Sequence, residues 1–142
     1  MAIASAKIAA LQAALAVEQA ASYGYGVVGA HLRGTAFTLA AADCVAHERA
    51  RDSLAAMIMA LGADPRPAAI VYRMPIAVKT ARDAALLAAD LENGVVAGYL
   101  SLVAVPEAAL RRLAAVRMQA AAVRAARWGG AQQSFPGLAA RR

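Results

Sequence analysis

An all-α four-helix bundle is the fold class this sequence predicts, and three observations lead to it. Large apolar residues recur at alternating three- and four-residue intervals over long stretches, the periodicity of a buried helix face. Hydrophobic residues make up 61% of the 142-residue chain against 17% charged, and much of that excess is alanine, the strongest helix former. Finally, Glu18-Gln19-Ala20-Ala21-Ser22-Tyr23-Gly24-Tyr25 is echoed by Glu92-Asn93-Gly94-Val95-Val96-Ala97-Gly98-Tyr99, so a glutamate followed two helical turns later by Gly-Tyr stands in both halves. An internally repeated helical hairpin is the simplest source of that echo. Two turns put each Glu and its Tyr on one face, the face that carries the large apolar residues. A buried carboxylate is costly unless it is paired, protonated or bound to a metal. Glu18 and Glu92 therefore mark the site.

The spacing predicts a first helix over 4–33, with Ile8, Leu11, Leu15, Glu18, Ser22, Tyr25, Gly29 and Leu32 facing inward. Gly34-Thr35 ends it, with Thr35 expected to cap a second helix over 35–62 that Gly62 stops. Along that helix the inward stripe reads Cys44, His47, Arg51, Leu54, Ile58 and Leu61. Pro65, Pro67 and Pro75 then break helical periodicity and make 63–79 an extended crossover. A crossover of this length carries the chain from one end of a bundle to the other, and the second hairpin is expected to run from the same end as the first. The third helix spans 80–105, with Ala85, Ala88, Glu92, Val95, Tyr99 and Leu102 inward. Pro106 starts the fourth, 107–128, whose inner face carries Leu110, Leu113, Arg117, Ala120 and Arg124. Trp128-Gly129-Gly130 closes it, and in the tail, 129–142, Phe135 is expected to pin the chain back onto the bundle. The whole of 1–142 reads as a single domain, long enough to bury a core without disulfides.

Composition narrows the function classes. Runs free of ionisable side chains, such as Gln19–Ala30 and Asn93–Val105, fall short of the roughly 18–20 residues a membrane span needs. Gln12 and Glu18 interrupt the stretch that a signal peptide would require, so a cytoplasmic location and no membrane association are expected. Cys44 is the sole cysteine, which excludes an intrachain disulfide and a cysteine-rich metal site, and it reads as a small buried hydrophobe. The net charge of +6 is compatible with nucleic acid, but the arginines are spread through the chain and not gathered in a tail. Glycines inside predicted helices, Gly24, Gly26, Gly29, Gly94 and Gly98, each cost about 1 kcal/mol against alanine. They point to a close helix approach or to a small cavity beside the tyrosines.

Three segments carry a resemblance: Tyr23-Gly24-Tyr25-Gly26-Val27-Val28-Gly29-Ala30, His47-Glu48-Arg49-Ala50-Arg51-Asp52, and Ala125-Ala126-Arg127-Trp128 with Phe135-Pro136-Gly137. With the crossover and the two inward glutamates, the chain resembles a family of small ferritin-like bacterial proteins of unassigned activity. That resemblance implies a ferritin-like four-helix bundle. Metal-binding members of the superfamily place a Glu on helices one and three and Glu-x-x-His on helices two and four. Glu18 and Glu92 match the lone glutamates and His47 the first histidine, but Cys44 stands in place of the first paired Glu, and the second pair reads Gln119-x-x-Ala122. The resemblance thus implies a degenerate di-iron site.

Two carboxylates and one imidazole neutralise and bridge two cations poorly. Arginine can supply the missing positive charge. The expected arrangement is a buried polar network of Glu18, His47, Arg51, Glu92, Arg117, Gln119, Arg124, Tyr25 and Tyr99 in a non-enzymatic structural or interaction protein with no cofactor. Two alternatives stay open. One is a metal-binding oxidoreductase that holds iron or manganese through Glu18, His47 and Glu92. The other is a basic nucleic-acid-associated protein acting through Arg111, Arg112, Arg117, Arg124 and Arg127. The apolar composition favours a homodimer, which light scattering at tens of micromolar decides. Other protein partners are not specified by the sequence.

Overall fold

The structure is a computed structural model that describes residues 2–129. Phe135 and the predicted anchoring of the tail lie outside the described residues. The described chain is all-helical: α1 (Ala2–Ala30), α2 (Gly34–Ala60), α3 (Ala81–Gly98), α4 (Leu100–Val103) and α5 (Ala108–Arg127). The predicted third helix is therefore split. Tyr99 steps out of regular geometry, with φ −88° and ψ −6°, and the chain resumes as the single turn α4.

Helix ends follow local chemistry. Gly62 takes φ +75°, and the Gly62 and Ala63 amides donate to the carbonyls of Met59 and Ile58, the paired bonds of a glycine C-cap. Thr80 and Asp83 form a reciprocal capping box at the start of α3. At α2 the expectation fails: the helix begins at Gly34, its N-cap is Arg33, and Thr35 makes no cap.

α1 packs against α2 and α3, and α3 against α5. Gly24 lies against Leu91 and Gly98 against Val17, so rising numbers in α1 meet falling numbers in α3. The two helices are antiparallel. This corrects the expected direction of the second hairpin: it starts from the opposite end to the first. The crossover is what makes this possible, returning the chain along the bundle before α3 descends. Gln12 and Gln19 pin that crossover to α1. Gln12 donates to the Asp64 carbonyl at 2.7 Å and accepts from the Arg66 amide at 2.9 Å, while Gln19 donates to the Arg66 carbonyl at 2.8 Å.

Two apolar clusters fill the interior. One is built on Leu11, Leu15, Leu54, Ile58, Val95, Tyr99 and Leu102, the other on Tyr25, Val28, Leu32, Ala40, Leu87 and Ala88. By length and composition, Ala81–Val103 is apolar enough to cross a membrane. Asp90 and Glu92 interrupt it, so it holds no comparably long run free of ionisable residues. In this fold the segment comprises α3 and α4, which pack between α1 and α5, with Glu92 fully buried.

The close α1–α3 approach rests on two glycines in matching settings. A Cβ on Gly24 would lie 2.5 Å from Leu91 Cδ1, and one on Gly98 would overlap the Val17 side chain down to its Cβ. Gly98→Ala is therefore expected to destabilise by roughly 1–3 kcal/mol, since a β-branched neighbour has no free rotamer to retreat into. Gly24→Ala costs less because the leucine methyls rotate away. Gly26→Ala and Gly94→Ala meet nothing within 4 Å and should stabilise by about 0.5–1 kcal/mol. Urea midpoints of the four variants test this order. Equal effects at all four positions would remove the close-approach explanation.

Candidate functional site

The centre of the bundle is polar. Glu18, His47 and Glu92 are each at most 1% exposed and Asp43 5%. Glu18 comes from α1, Asp43 and His47 from α2, Glu92 from α3. Each arrives there because it sits mid-helix on the inward face, among the alanines that let the helices close.

His47 bridges the two glutamates. Its Nδ1 lies 2.6 Å from Glu18 Oε2 and its Nε2 2.9 Å from Glu92 Oε1. A carboxylate accepts and does not donate, so both ring nitrogens must carry hydrogen. That state is the imidazolium. Burial opposes the charge, but the hydrogen bonds to Glu18 and Glu92 and the two negative charges outweigh it and push the His47 pKa up to about 9.

The repeat closes the ring around this bridge. Tyr99 donates to Glu18 Oε1 at 2.6 Å, and Tyr25 donates to Glu92 Oε1 at 2.7 Å. Each tyrosine thus serves the glutamate of the other helix, the pairing that antiparallel packing of the repeated Glu…Gly-Tyr segment demands. Burial, together with the neighbouring carboxylates, holds both phenols well above the usual tyrosine range. Tyr25 also stacks on the His47 ring, with centroids 5.3 Å apart and planes 24° apart.

α5 supplies the remaining charge. Arg124 Nε donates to Glu92 Oε1 at 2.8 Å. Arg127 Nη2 lies 2.7 and 2.6 Å from the two oxygens of Asp43, and Trp128 Nε1 donates to Asp43 Oδ2 at 2.9 Å. Tyr25 reaches the same oxygen at 3.3 Å. Three carboxylates, Glu18, Asp43 and Glu92, thus face three cations, His47, Arg124 and Arg127, and the set is neutral. Glu92 Oε1 accepts from three donors, whereas Oε2 is buried with no hydrogen-bond partner among the described residues.

Of the predicted network, Glu18, His47, Glu92, Arg124, Tyr25 and Tyr99 come together. Three predicted members do not join. Arg51 turns outward and donates to Asp52 at 2.8 Å, with more than a third of its side chain exposed. Gln119 is exposed on the outer face of α5. Arg117 makes no hydrogen bond or salt bridge among the described residues, although its charge is near enough to Tyr99 to act on the phenol. Cys44 also leaves the centre: its thiol points at the Ser22 carbonyl, 3.6 Å away.

These misplacements share one cause. The stripe of larger residues expected on α2 includes Cys44, Arg51 and Leu61, whereas the buried residues are Ala40, Asp43, His47, Ala50, Leu54 and Ile58. Where helices approach closely, alanine takes the contact position and bulk is displaced to the flanks. Arg127 and Trp128 are the members that helix periodicity did not bring to the network, whereas Asp43, four residues before His47 on the same helix face, comes fully into reach.

The geometry does not fit a dinuclear metal centre. A histidine ligand must offer an unprotonated nitrogen to the metal, and both nitrogens of His47 are taken up by carboxylates. Among the described residues no group of three or more His, Cys, Asp or Glu side chains is disposed to hold a metal ion. Three arginines of the basic reading make contacts within the chain. Arg124 and Arg127 point at Glu92 and Asp43, and Arg111 turns back to the carbonyls of Val105 and Pro106.

Residues 10–140 match the profile of a family described as Domain of unknown function (DUF4439). The chain is also similar to a solved structure, that of a conserved hypothetical protein, rv2844, from Mycobacterium tuberculosis. Identity is 37%, the TM-score is 0.84, and the match covers 88% of this chain and 96% of that one. No curated protein matches it. With a family match over nearly its whole length and a relative of closely similar backbone, the chain belongs to the DUF4439 family.

Proposed function

We propose that this protein is a non-enzymatic, ferritin-like structural or interaction module in which a neutral charge network stands where related bundles hold two metals. The observation that carries the reading is the double engagement of His47, whose two ring nitrogens meet Glu18 and Glu92. Support for the ferritin-like assignment comes from the helix order, the long crossover between α2 and α3, and the inward glutamates on α1 and α3 facing the histidine on α2. Arg124 enters from the last helix. Arginine is always charged, so its contribution to the charge balance of the cavity needs no loading with metal. A buried ion network of this kind specifies one packing more than it adds stability.

Parallel reconstitution of the untagged protein with iron, manganese and zinc, followed by elemental analysis, tests the proposal. Less than about one-tenth of an equivalent of each metal is expected, for the wild type and for Glu18→Ala alike. Near-stoichiometric metal in the wild type that disappears in the variant would replace this reading with the metal-binding oxidoreductase.

A further inference from the structure

The geometry points to a gate: the last two turns of α5, held shut by Asp43 of α2, open and close access to the buried Glu92 side of the charge network. The seam where this happens is built differently from the rest of the bundle. No Cα of α2 lies within 8 Å of a Cα of α5, although α1–α2, α1–α3 and α3–α5 all pack at that range. Toward one end the gap is filled by side chains, because Leu54 and Ile58 share an apolar cluster with Ala114, Ala121, Leu110 and Met118. Toward the other end the filling is polar. There Asp43 takes Arg127 on both oxygens and Trp128 on one, and Arg124 reaches across to Glu92.

Apolar burial holds this part of α5 weakly. The fully buried residues of the helix are Ala114, Ala121 and Ala125, and alanine has little surface to remove from water. Past Met118, the large apolar side chain that packs inward among the described residues is Trp128, which is half-buried against the Tyr25 cluster. The Arg127 side chain is 41% exposed while that of Asp43 is 8% exposed, so the cation of the latch is open to solvent and salt and the anion is sheltered. Gly129, at φ +84°, ends the helix directly behind the latch. Opening also relieves a cost, since the unpartnered Glu92 Oε2 lies beside Arg124 and gains water when α5 lifts. An element closed by polar ties and little apolar area belongs to the low-stability end of a fold, where gates are drawn from.

Amide hydrogen exchange on the full chain, wild type against Asp43→Asn, tests the gate. Amides of Ala121–Trp128 should exchange about tenfold faster in the variant, with Ala108–Met118 and α1–α3 changed less than twofold, because a charge-assisted latch is lost locally. Trp128 is the single tryptophan, so acrylamide quenching of its fluorescence should rise in step. It should rise in the wild type at 1 M salt too, where the Debye length is about 3 Å. Arg127→Gln is the second variant. It removes the exposed cation, leaves Asp43 its Trp128 and Tyr25 donors, and should give the same local pattern with a smaller amplitude. Unchanged exchange in both variants would overturn the gate, as would acceleration spread evenly over all helices.

Discussion

His47→Ala is expected to lower the stability of the fold by about 3–5 kcal/mol, the range seen when one partner of a buried ion network is removed. The loss has a specific origin. Among the described residues His47 is the one cation that bridges Glu18 and Glu92, both essentially without solvent exposure. Without it the two carboxylates confront each other across a hole the size of an imidazole, and among the described residues Tyr99 is the side chain left on Glu18. Arg124 cannot compensate for both, since its hydrogen bond goes to Glu92. Urea denaturation followed by circular dichroism measures the effect. A shift worth less than 1 kcal/mol would mean that the centre is hydrated or already rearranged, and the neutral-network reading would fail with it.

Alkaline pH should weaken the wild type by about 3 kcal/mol through the same group. The folded pKa of His47 is pushed up to about 9, above the value near 6.5 of an unfolded histidine. A group whose pKa is raised on folding contributes its full stabilisation below the unfolded value and loses it as pH rises through the folded one. The loss should therefore begin above pH 6.5 and be complete beyond about pH 9. Tyr25 and Tyr99, also raised by burial and by the neighbouring carboxylates, titrate later and extend the loss in the same direction. Unfolding free energies measured at half-unit steps from pH 6 to 10 should show this decline in the wild type, and His47→Ala should be nearly flat below pH 9. A wild-type profile flat over that range would sink the imidazolium assignment.

Much of this centre was legible in the chain. Glu18 and Glu92 announce themselves as ionisable residues in the middle of apolar stripes, and the repeated Gly-Tyr two turns later named their hydrogen-bond donors. What was not legible was which tyrosine serves which glutamate. Periodicity places a residue on a face of its own helix but carries no sign for the direction of the neighbouring helix, which is why the expected direction of the second hairpin differs from the one observed. The glycine pair contained the missing information in part. Gly24 and Gly98 each mark a contact between α1 and α3, and only antiparallel packing lets both contacts form beside crossed Glu–Tyr pairs.

The sequence by itself determined the all-helical class, the four long helical segments, the crossover between the second and third, and the glutamates, histidine and tyrosines of the centre. Those features are local: they depend on the 3.6-residue period, on glycine and proline at the breaks, and on the cost of burying a carboxylate. Only the tertiary structure decided that Asp43 and not Arg51 joins from α2, and that Arg124 and Arg127 divide between Glu92 and Asp43. It also decided that Glu92 keeps one oxygen without a partner. The physical reason is that a flank residue turns inward or outward according to how closely the next helix comes. In an alanine-lined bundle that distance is set by small residues on both partners at once, a property of the pair that neither helix carries alone.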